Sequence, residues 1–275
     1  MSETTPHGGT LTRRLTLTLS SWSLIMAAIG LLYGLLAYVF FAATFAYTVG
    51  FIGDMFVPTG IDGGPATPML EAVVVDLALL GLFAVQHSVM ARHGFKRWWT
   101  RVVPESLERS TYVLAATAAL ALLLWQWRPI AEPVVWHVAN PVARTLLWAV
   151  FGVGWAIVLV STFLINHFEL FGLRQVFAPL FGFEAPAPEF RTPLLYRHVR
   201  HPLYLGFVLG FWATPHMSAG HLLFALAATG YILVGIWFEE RDLVAQFGER
   251  YRAYREQVGM LLPRLPRRRR GPLGQ

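Results

Sequence analysis

Four polar clusters interrupt an otherwise apolar chain: Gln86-His87-Ser88, Asn166-His167-Phe168-Glu169, Tyr196-Arg197-His198-Val199-Arg200-His201-Pro202, and Phe238-Glu239-Glu240. Each carries side chains that do chemistry. Histidine has an unperturbed pKa of ~6.5 and so serves as acid or base near neutrality. Arginine grips carboxylates through paired N–H groups, and a glutamate answers an ammonium or a hydroxyl. No cysteine occurs in the 275 residues. That removes disulfides, Cys-ligated zinc, iron–sulfur clusters and thiolate nucleophiles, and no metal site is expected.

The elements that must position these clusters are membrane helices. Hydrophobic residues make up 55% of the chain and charged ones 14%, against roughly 25% charged in a soluble domain. Four apolar stretches, Leu24–Val49, Leu70–Met90, Tyr112–Trp127 with its flanks and Val142–Ile165, each suit a bilayer core of ~30 Å. A fifth region, Leu203–Phe238, is broken by Thr214-Pro215-His216 and by Gly220, and reads as a tight helical hairpin. The first apolar run is too long for a signal peptide and lacks a cleavage site, so it is expected to be retained. The expected fold is an all-α integral membrane protein of five to six membrane helices, the last pair a hairpin, followed by a C-terminal amphipathic helix. One domain covers 1–275, with an N-terminal segment 1–20, a four-helix core 21–175, the hairpin and helix 196–263, and a basic tail 264–275.

Basic residues set the expected orientation. Twenty of the 22 lie in the N-terminal segment, the loop after the second span, the segment after the fourth, and the tail; only Arg128 and Arg144 lie on the other side. Both termini are therefore expected in the cytoplasm. The formal charge of +6 is spread between apolar runs, which points to anionic lipid rather than nucleic acid as the partner of Arg267–Arg270. Trp98-Trp99, between Lys96 and Arg101, reads as an interfacial anchor. Pro186, Pro188 and Pro193 mark one proline-rich connection.

This topology brings the four polar clusters to one membrane face, and intramembrane ionisable groups are functional candidates by default. Asp76 and His87 lie within about 20° on one helix face. Each has a structural alternative: Asp76 could pair with a neighbouring helix, His87 could be a satisfied core histidine, and Asn166 and His167 could cap a helix. Arg174 and Gln175 fit headgroup contacts, and His137, His216 and His221 fall on the opposite side. Leu243, Phe247, Tyr251, Tyr254 and Val258 recur at helical spacing. Glu239 and Glu240 project near this stripe, at about −40° and +60° from Leu243, whereas Arg241 faces away. Two carboxylates on an apolar side demand a cationic ligand or partner. An ion pair with Arg197 or Arg200 is the structural alternative.

Arg200-His201-Pro202-Leu203-Tyr204-Leu205-Gly206, then Glu239-Glu240-x-x-Leu243 and Phe247-Gly248-x-x-Tyr251-x-x-Tyr254, resembles the integral-membrane methyltransferases that act on isoprenylcysteine and phospholipids. The similarity covers roughly residues 196–263. Phe83-Ala84-x-Gln86-His87-Ser88-x-Met90-Ala91-Arg92, Glu108-Arg109-Ser110-Thr111 and His167-Phe168-Glu169-Leu170-Phe171-Gly172-Leu173-Arg174-Gln175 further resemble the nurim-related group. The resemblance implies methyl transfer from S-adenosylmethionine to a small thiol, such as methanethiol going to dimethyl sulfide. Arg197, Arg200, His201, Pro202, Tyr204, Glu239, Glu240 and Tyr251 are the implied cofactor residues. Arg197, Arg200 or His201 suits the cofactor carboxylate, Glu239 or Glu240 its ammonium or ribose, and Tyr204 and Tyr251 its adenine or sulfonium. The thiol must lose a proton, and His167 or His87 is the candidate base, with His167 favoured because Asn166 and Glu169 could orient it. Three rivals stay open: methylation of a prenylcysteine or phospholipid, a haem-binding isomerase, and a non-enzymatic membrane scaffold.

Overall fold

The computed structural model describes residues 21–181 and 190–264. Arg13 and Arg14, Pro186 and Pro188, and the Arg267–Arg270 tail lie outside the described residues. The chain runs through α1 (Ser21–Gly53), α2 (Met69–Ala91), the short basic α3 (His93–Trp99) and α4 (Glu105–Gln126). Next come α5 (Pro141–Ile165), α6 (His167–Leu170), α7 (Leu173–Phe181), α8 (Pro202–Trp212), α9 (Ala219–Phe247) and α10 (Glu249–Gln257). Among the described residues, α1, α2, α4, α5 and α9 are long and apolar enough to cross a bilayer, since about 20 residues at 1.5 Å each span its core. Leu36, Val39, Leu70, Val85, Phe163 and Trp237 are exposed on their outer faces, an arrangement suited to an apolar solvent. The protein is a multi-pass integral membrane protein.

Local signals set the helix starts. Asn140 accepts from the backbone N–H groups of Val142 and Ala143, both at 3.0 Å, with Pro141 in the first turn of α5. Ser218 caps α9 by accepting from His221 N–H at 3.0 Å. The third span starts at Glu105, well before Tyr112, because Pro104 and the first-turn carboxylates Glu105 and Glu108 suit a helix N-terminus. Hydropathy misses that polar first turn.

The all-α expectation also misses a two-stranded ribbon. β1 (Val134–His137) pairs antiparallel with β2 (His216–Ser218), setting Val134 opposite Ser218 and His137 opposite His216. It ties the α4–α5 connection to the α8–α9 connection, at the far end of α8 from Arg200. α8 packs mainly along α5. A Cβ on Gly206 would meet Gly154 O at 2.6 Å and Val158 N at 2.8 Å, while one on Gly154 would meet Gly210 N at 2.8 Å. Backbone touches backbone there, which only small residues permit. Phe51, Ile61, Leu123, Trp127, Phe151, Phe211 and Phe224 form the core at the ribbon end, leaving the other end open.

The amphipathic stripe does not continue as one helix. α9 ends at Phe247, Gly248 adopts φ +56°, and α10 starts afresh at Glu249. Glycine takes that positive φ without penalty. Val258 lies just past α10, and Glu239 and Glu240 lie within α9.

Candidate active site

A cavity of about 940 Å³ lies among α1, α2, α4, α5, α8 and α9. Side chains from all four polar clusters line it, among them His87, His167, Tyr196, Arg200, His201 and Glu239. Polar side chains line the end carrying Arg200, the mouth; Tyr112, Tyr204 and Tyr231 line its middle, the waist; and apolar residues line the chamber that reaches Phe211 and Phe224.

The mouth is built by folding the chain after α10 back onto the Arg200-His201 run. Val199 forms a parallel bridge with Gly259. Arg200 N–H donates to Gly259 O at 2.8 Å, and His201 N–H to Met260 O at 3.1 Å. The Arg200 side chain donates to Glu240 Oε1 at 2.8 Å, to Val258 O at 2.5 Å and to Arg255 O at 3.1 Å. Glu240 also meets His201 Nε2 at 3.1 Å and Arg255 Nε at 3.4 Å. Glu240 is thus the hub of a buried ionic network, with side chains only 12% exposed for Glu240 and 9% for Arg200. Glu239 differs. Its side chain is 44% exposed, lines the cavity, and keeps Oε2 3.8 Å from His201 Nδ1.

An aromatic group frames the same mouth: the Phe190 ring lies 5.4 Å from Phe247, 5.9 Å from Tyr251 and 5.4 Å from Tyr254. The Tyr254 hydroxyl donates to Tyr196 O at 2.5 Å. Among the described residues the buried Tyr251 hydroxyl has no hydrogen-bond partner, a costly state that a polar ligand relieves. Burial pushes the Tyr251 phenol up and the Tyr254 phenol up to about 12, so both remain protonated donors at neutral pH.

Hydroxyls gather at the waist. The Tyr112 hydroxyl meets His87 Nε2 at 2.9 Å, and Ser88 Oγ meets the Tyr231 hydroxyl at 3.0 Å. Tyr204, Tyr231 and Tyr112 lie close together there, and the Tyr204 hydroxyl donates to Glu239. The Arg109 guanidinium lies 4.9 Å over the Tyr112 ring and donates to Leu170 O at 2.7 Å. Ser110 packs against Gly172, whose φ is +84°. Glu108-Arg109-Ser110-Thr111 therefore docks α4 onto the turn after His167.

The two candidate histidines differ in what they have left to offer. Thr162 Oγ1 donates to Leu159 O at 2.7 Å, so it accepts from His167 Nδ1–H at 2.8 Å. His167 Nε2 then accepts from the Tyr38 hydroxyl at 2.8 Å. Both ring nitrogens are committed, the ring stacks on Phe163 at 4.2 Å, and burial holds its pKa below the usual imidazole value. Asn166 and Glu169, expected to orient this ring, instead bond to each other. Among the described residues His87 hydrogen-bonds to Tyr112 alone, and its Nδ1 has no partner.

Of the sequence candidates, Arg200, His201, Tyr204, Glu239, Tyr251, His87 and His167 line the cavity. Arg197, Pro202 and Glu240 do not. Arg197 is exposed; Pro202 is buried in the first turn of α8, where its fixed φ starts the helix. Tyr196, from the third polar cluster, lines the cavity too, as do Phe190, Tyr112 and Tyr231, which the sequence does not mark as site residues. Their signal is weak, because aromatics in apolar runs look like core. Asp76 is fully buried and accepts from Arg128 N–H at 2.9 Å, pinning the end of α4 away from the cavity. His137, His216 and His221 line a separate cavity of about 230 Å³ with Asp54 and Asp62.

A bundle of membrane helices around a cavity with one polar mouth defines a multi-pass membrane protein with a small-molecule site. The family model described as NnrU protein matches residues 77–261. The chain is 60% identical to a methanethiol S-methyltransferase of Mycobacterium tuberculosis, over 85% of this chain and 95% of the relative. It is 55% identical to methanethiol S-methyltransferase 2 of Bradyrhizobium diazoefficiens, over 87% of this chain and 92% of that one. Nurim of Bos taurus is 31% identical over 64% of this chain and 69% of its own. No solved structure matches significantly. The chain belongs to the methanethiol S-methyltransferase family, within the NnrU proteins.

Proposed function

We propose that the chain methylates methanethiol with S-adenosylmethionine, yielding dimethyl sulfide. One observation supports this beyond family membership: a half-exposed carboxylate, Glu239, outside the Arg200–Glu240 network, and a buried hydroxyl, Tyr251, without a hydrogen-bond partner among the described residues, share a mouth that opens on an apolar chamber. The cofactor's groups fit that donor set. Glu239 suits its ammonium, Tyr251 and the cavity face of Arg200 its carboxylate, and Phe190, Phe247 and Tyr254 its adenine. Tyr204 suits the sulfonium. When bound, the cofactor supplies an electrophilic methyl group. Glu240 acts one step back, holding Arg200 and His201 in place. His87 is the base: Tyr112 passes the thiol proton to Nε2, which it already contacts, and His167 fixes the turn beneath the cavity. The waist holds donor and acceptor in line, and such positioning is worth up to ~7–11 kcal/mol in intramolecular models.

The basic ends of the helices face the cytoplasm, α8 and α9 form a hairpin whose turn reaches the opposite side at the β1–β2 ribbon, and α10 lies along the membrane surface among anionic lipids. The cofactor enters from that side. Titrating purified protein with S-adenosylmethionine by calorimetry tests the assignment. Saturable binding that Glu239→Ala weakens at least tenfold supports it, and heat unchanged by that substitution refutes it.

A further inference from the structure

The cavity is far larger than methanethiol needs. A molecule of two heavy atoms takes on the order of two water volumes, ~60 Å³. A drug-sized cofactor at the mouth fits a pocket toward the lower part of the ~300–1,000 Å³ range. The cavity holds about 940 Å³. The cavity continues beyond the waist toward the ribbon end. Tyr231 and Phe224 both line the cavity on α9, and seven residues of helix separate them by ~10 Å at 1.5 Å each. Leu120, Phe207, Phe211, Phe224 and Ala228 line that depth with apolar groups. An apolar void forfeits contacts that a hydrocarbon would restore.

We propose that, resting on the methyltransferase reading above, the same site also methylates alkyl thiols of about four to six carbons. A six-carbon chain extends roughly 8 Å with bonds near 1.5 Å, so it fits between the waist and Phe224. The thiol enters sulfur outward, its chain in the chamber. The S–H bond breaks and its proton passes through Tyr112 to His87. The sulfur lone pair forms the new C–S bond, and the donor's methyl–sulfonium bond breaks with its electron pair left on the donor sulfur. Products are the alkyl methyl sulfide, the demethylated donor and one proton. Each buried methylene is worth about 0.8 kcal/mol, a factor of about four.

The test uses the full chain in nanodiscs, with methanethiol, butanethiol and hexanethiol as acceptors and hexyl methyl sulfide as a binding probe. The wild type is expected to show kcat/KM for hexanethiol at least tenfold above that for methanethiol. Ala228→Phe, one turn beyond Tyr231, is expected to keep methanethiol turnover within twofold, to lose hexanethiol turnover tenfold or more, and to lose the probe's binding heat. Leu120→Phe on α4 is expected to repeat the result should Ala228→Phe not accumulate. Dimethyl sulfide from methanethiol without hexyl methyl sulfide from hexanethiol overturns the inference alone. So does equal slowing of both acceptors in the two variants. Absence of both sulfides overturns the underlying function as well.

Discussion

Glu239 and Glu240 are adjacent in sequence, yet the structure gives them opposite jobs, and substituting each alone separates the two. Glu240 receives Arg200 Nε at 2.8 Å, His201 Nε2 at 3.1 Å and Arg255 Nε at 3.4 Å, largely shielded from solvent. Glu240→Ala leaves the Arg200 guanidinium buried without its carboxylate. Breaking one partner of a buried pair costs about 3–5 kcal/mol. At about 2–4 °C per kcal/mol for 150–250 residues, the unfolding midpoint is expected to fall by roughly 10 °C. Glu239 is 44% exposed and only 3.8 Å from its nearest cation, so Glu239→Ala should shift stability by less than about 1 kcal/mol. Removing its charge-assisted bond to the cofactor ammonium costs about 1.5–3 kcal/mol, a ten- to hundredfold loss of affinity. The assay pairs fluorescence-monitored unfolding in detergent with calorimetric binding of S-adenosylmethionine. A stable Glu240→Ala that fails to bind, beside a Glu239→Ala that binds normally, would refute the assignment.

Tyr112→Phe and His87→Ala should retain cofactor binding but lose turnover, about tenfold or more at pH 7, with the deficit shrinking as pH rises and thiolate forms unaided; a deficit constant from pH 7 to 10 contradicts the relay. His167 is held neutral, with its folded pKa below its unfolded one. Its stability contribution is therefore retained above pH ~6.5 and declines as pH falls from there toward the folded pKa, because the unfolded chain takes the proton first. His167→Gln should flatten that slope in unfolding midpoints measured from pH 7.5 to 5.5, and an unchanged slope removes His167 as its source. Gly206→Leu drives a side chain into Gly154 O and the Val158 backbone, so it should prevent accumulation in membranes, whereas Gly81→Leu, with nothing near its Cβ, should not.

The spans were legible because apolar length alone determines them, and so was the convergence of the four polar clusters, which alternating basic loops imply. The break at Gly248 had a visible signal in Phe247-Gly248, yet the helical recurrence of Tyr251 and Tyr254, four and seven residues after Phe247, masked it, since the stripe resumes in α10. What one segment cannot reveal is who its partner is. The wheel angle of Glu240 showed that it points inward, but only the fold showed Arg200, His201 and Arg255 waiting there. The wheel angle likewise could not separate Glu239 from Glu240. His167 looked the better base from its neighbours Asn166 and Glu169, whereas its actual partners, Tyr38 and Thr162, come from the first helix and from the turn before. Gly206 and Gly210 meet Gly154 across two helices, and the β1–β2 ribbon joins two loops far apart in sequence. Such pairings are tertiary and leave no local mark.

The central claim is that a donor methyl at the waist passes intact to a thiol whose sulfur is held beside it. Supplying purified protein in nanodiscs with S-adenosylmethionine carrying a trideuterated methyl group, together with unlabelled methanethiol, tests it most directly. The account predicts headspace dimethyl sulfide shifted by three mass units, one sulfide for each demethylated donor, and its loss in Glu239→Ala at limiting donor. Unlabelled dimethyl sulfide, or donor consumed without any sulfide from protein that binds it, would contradict the account.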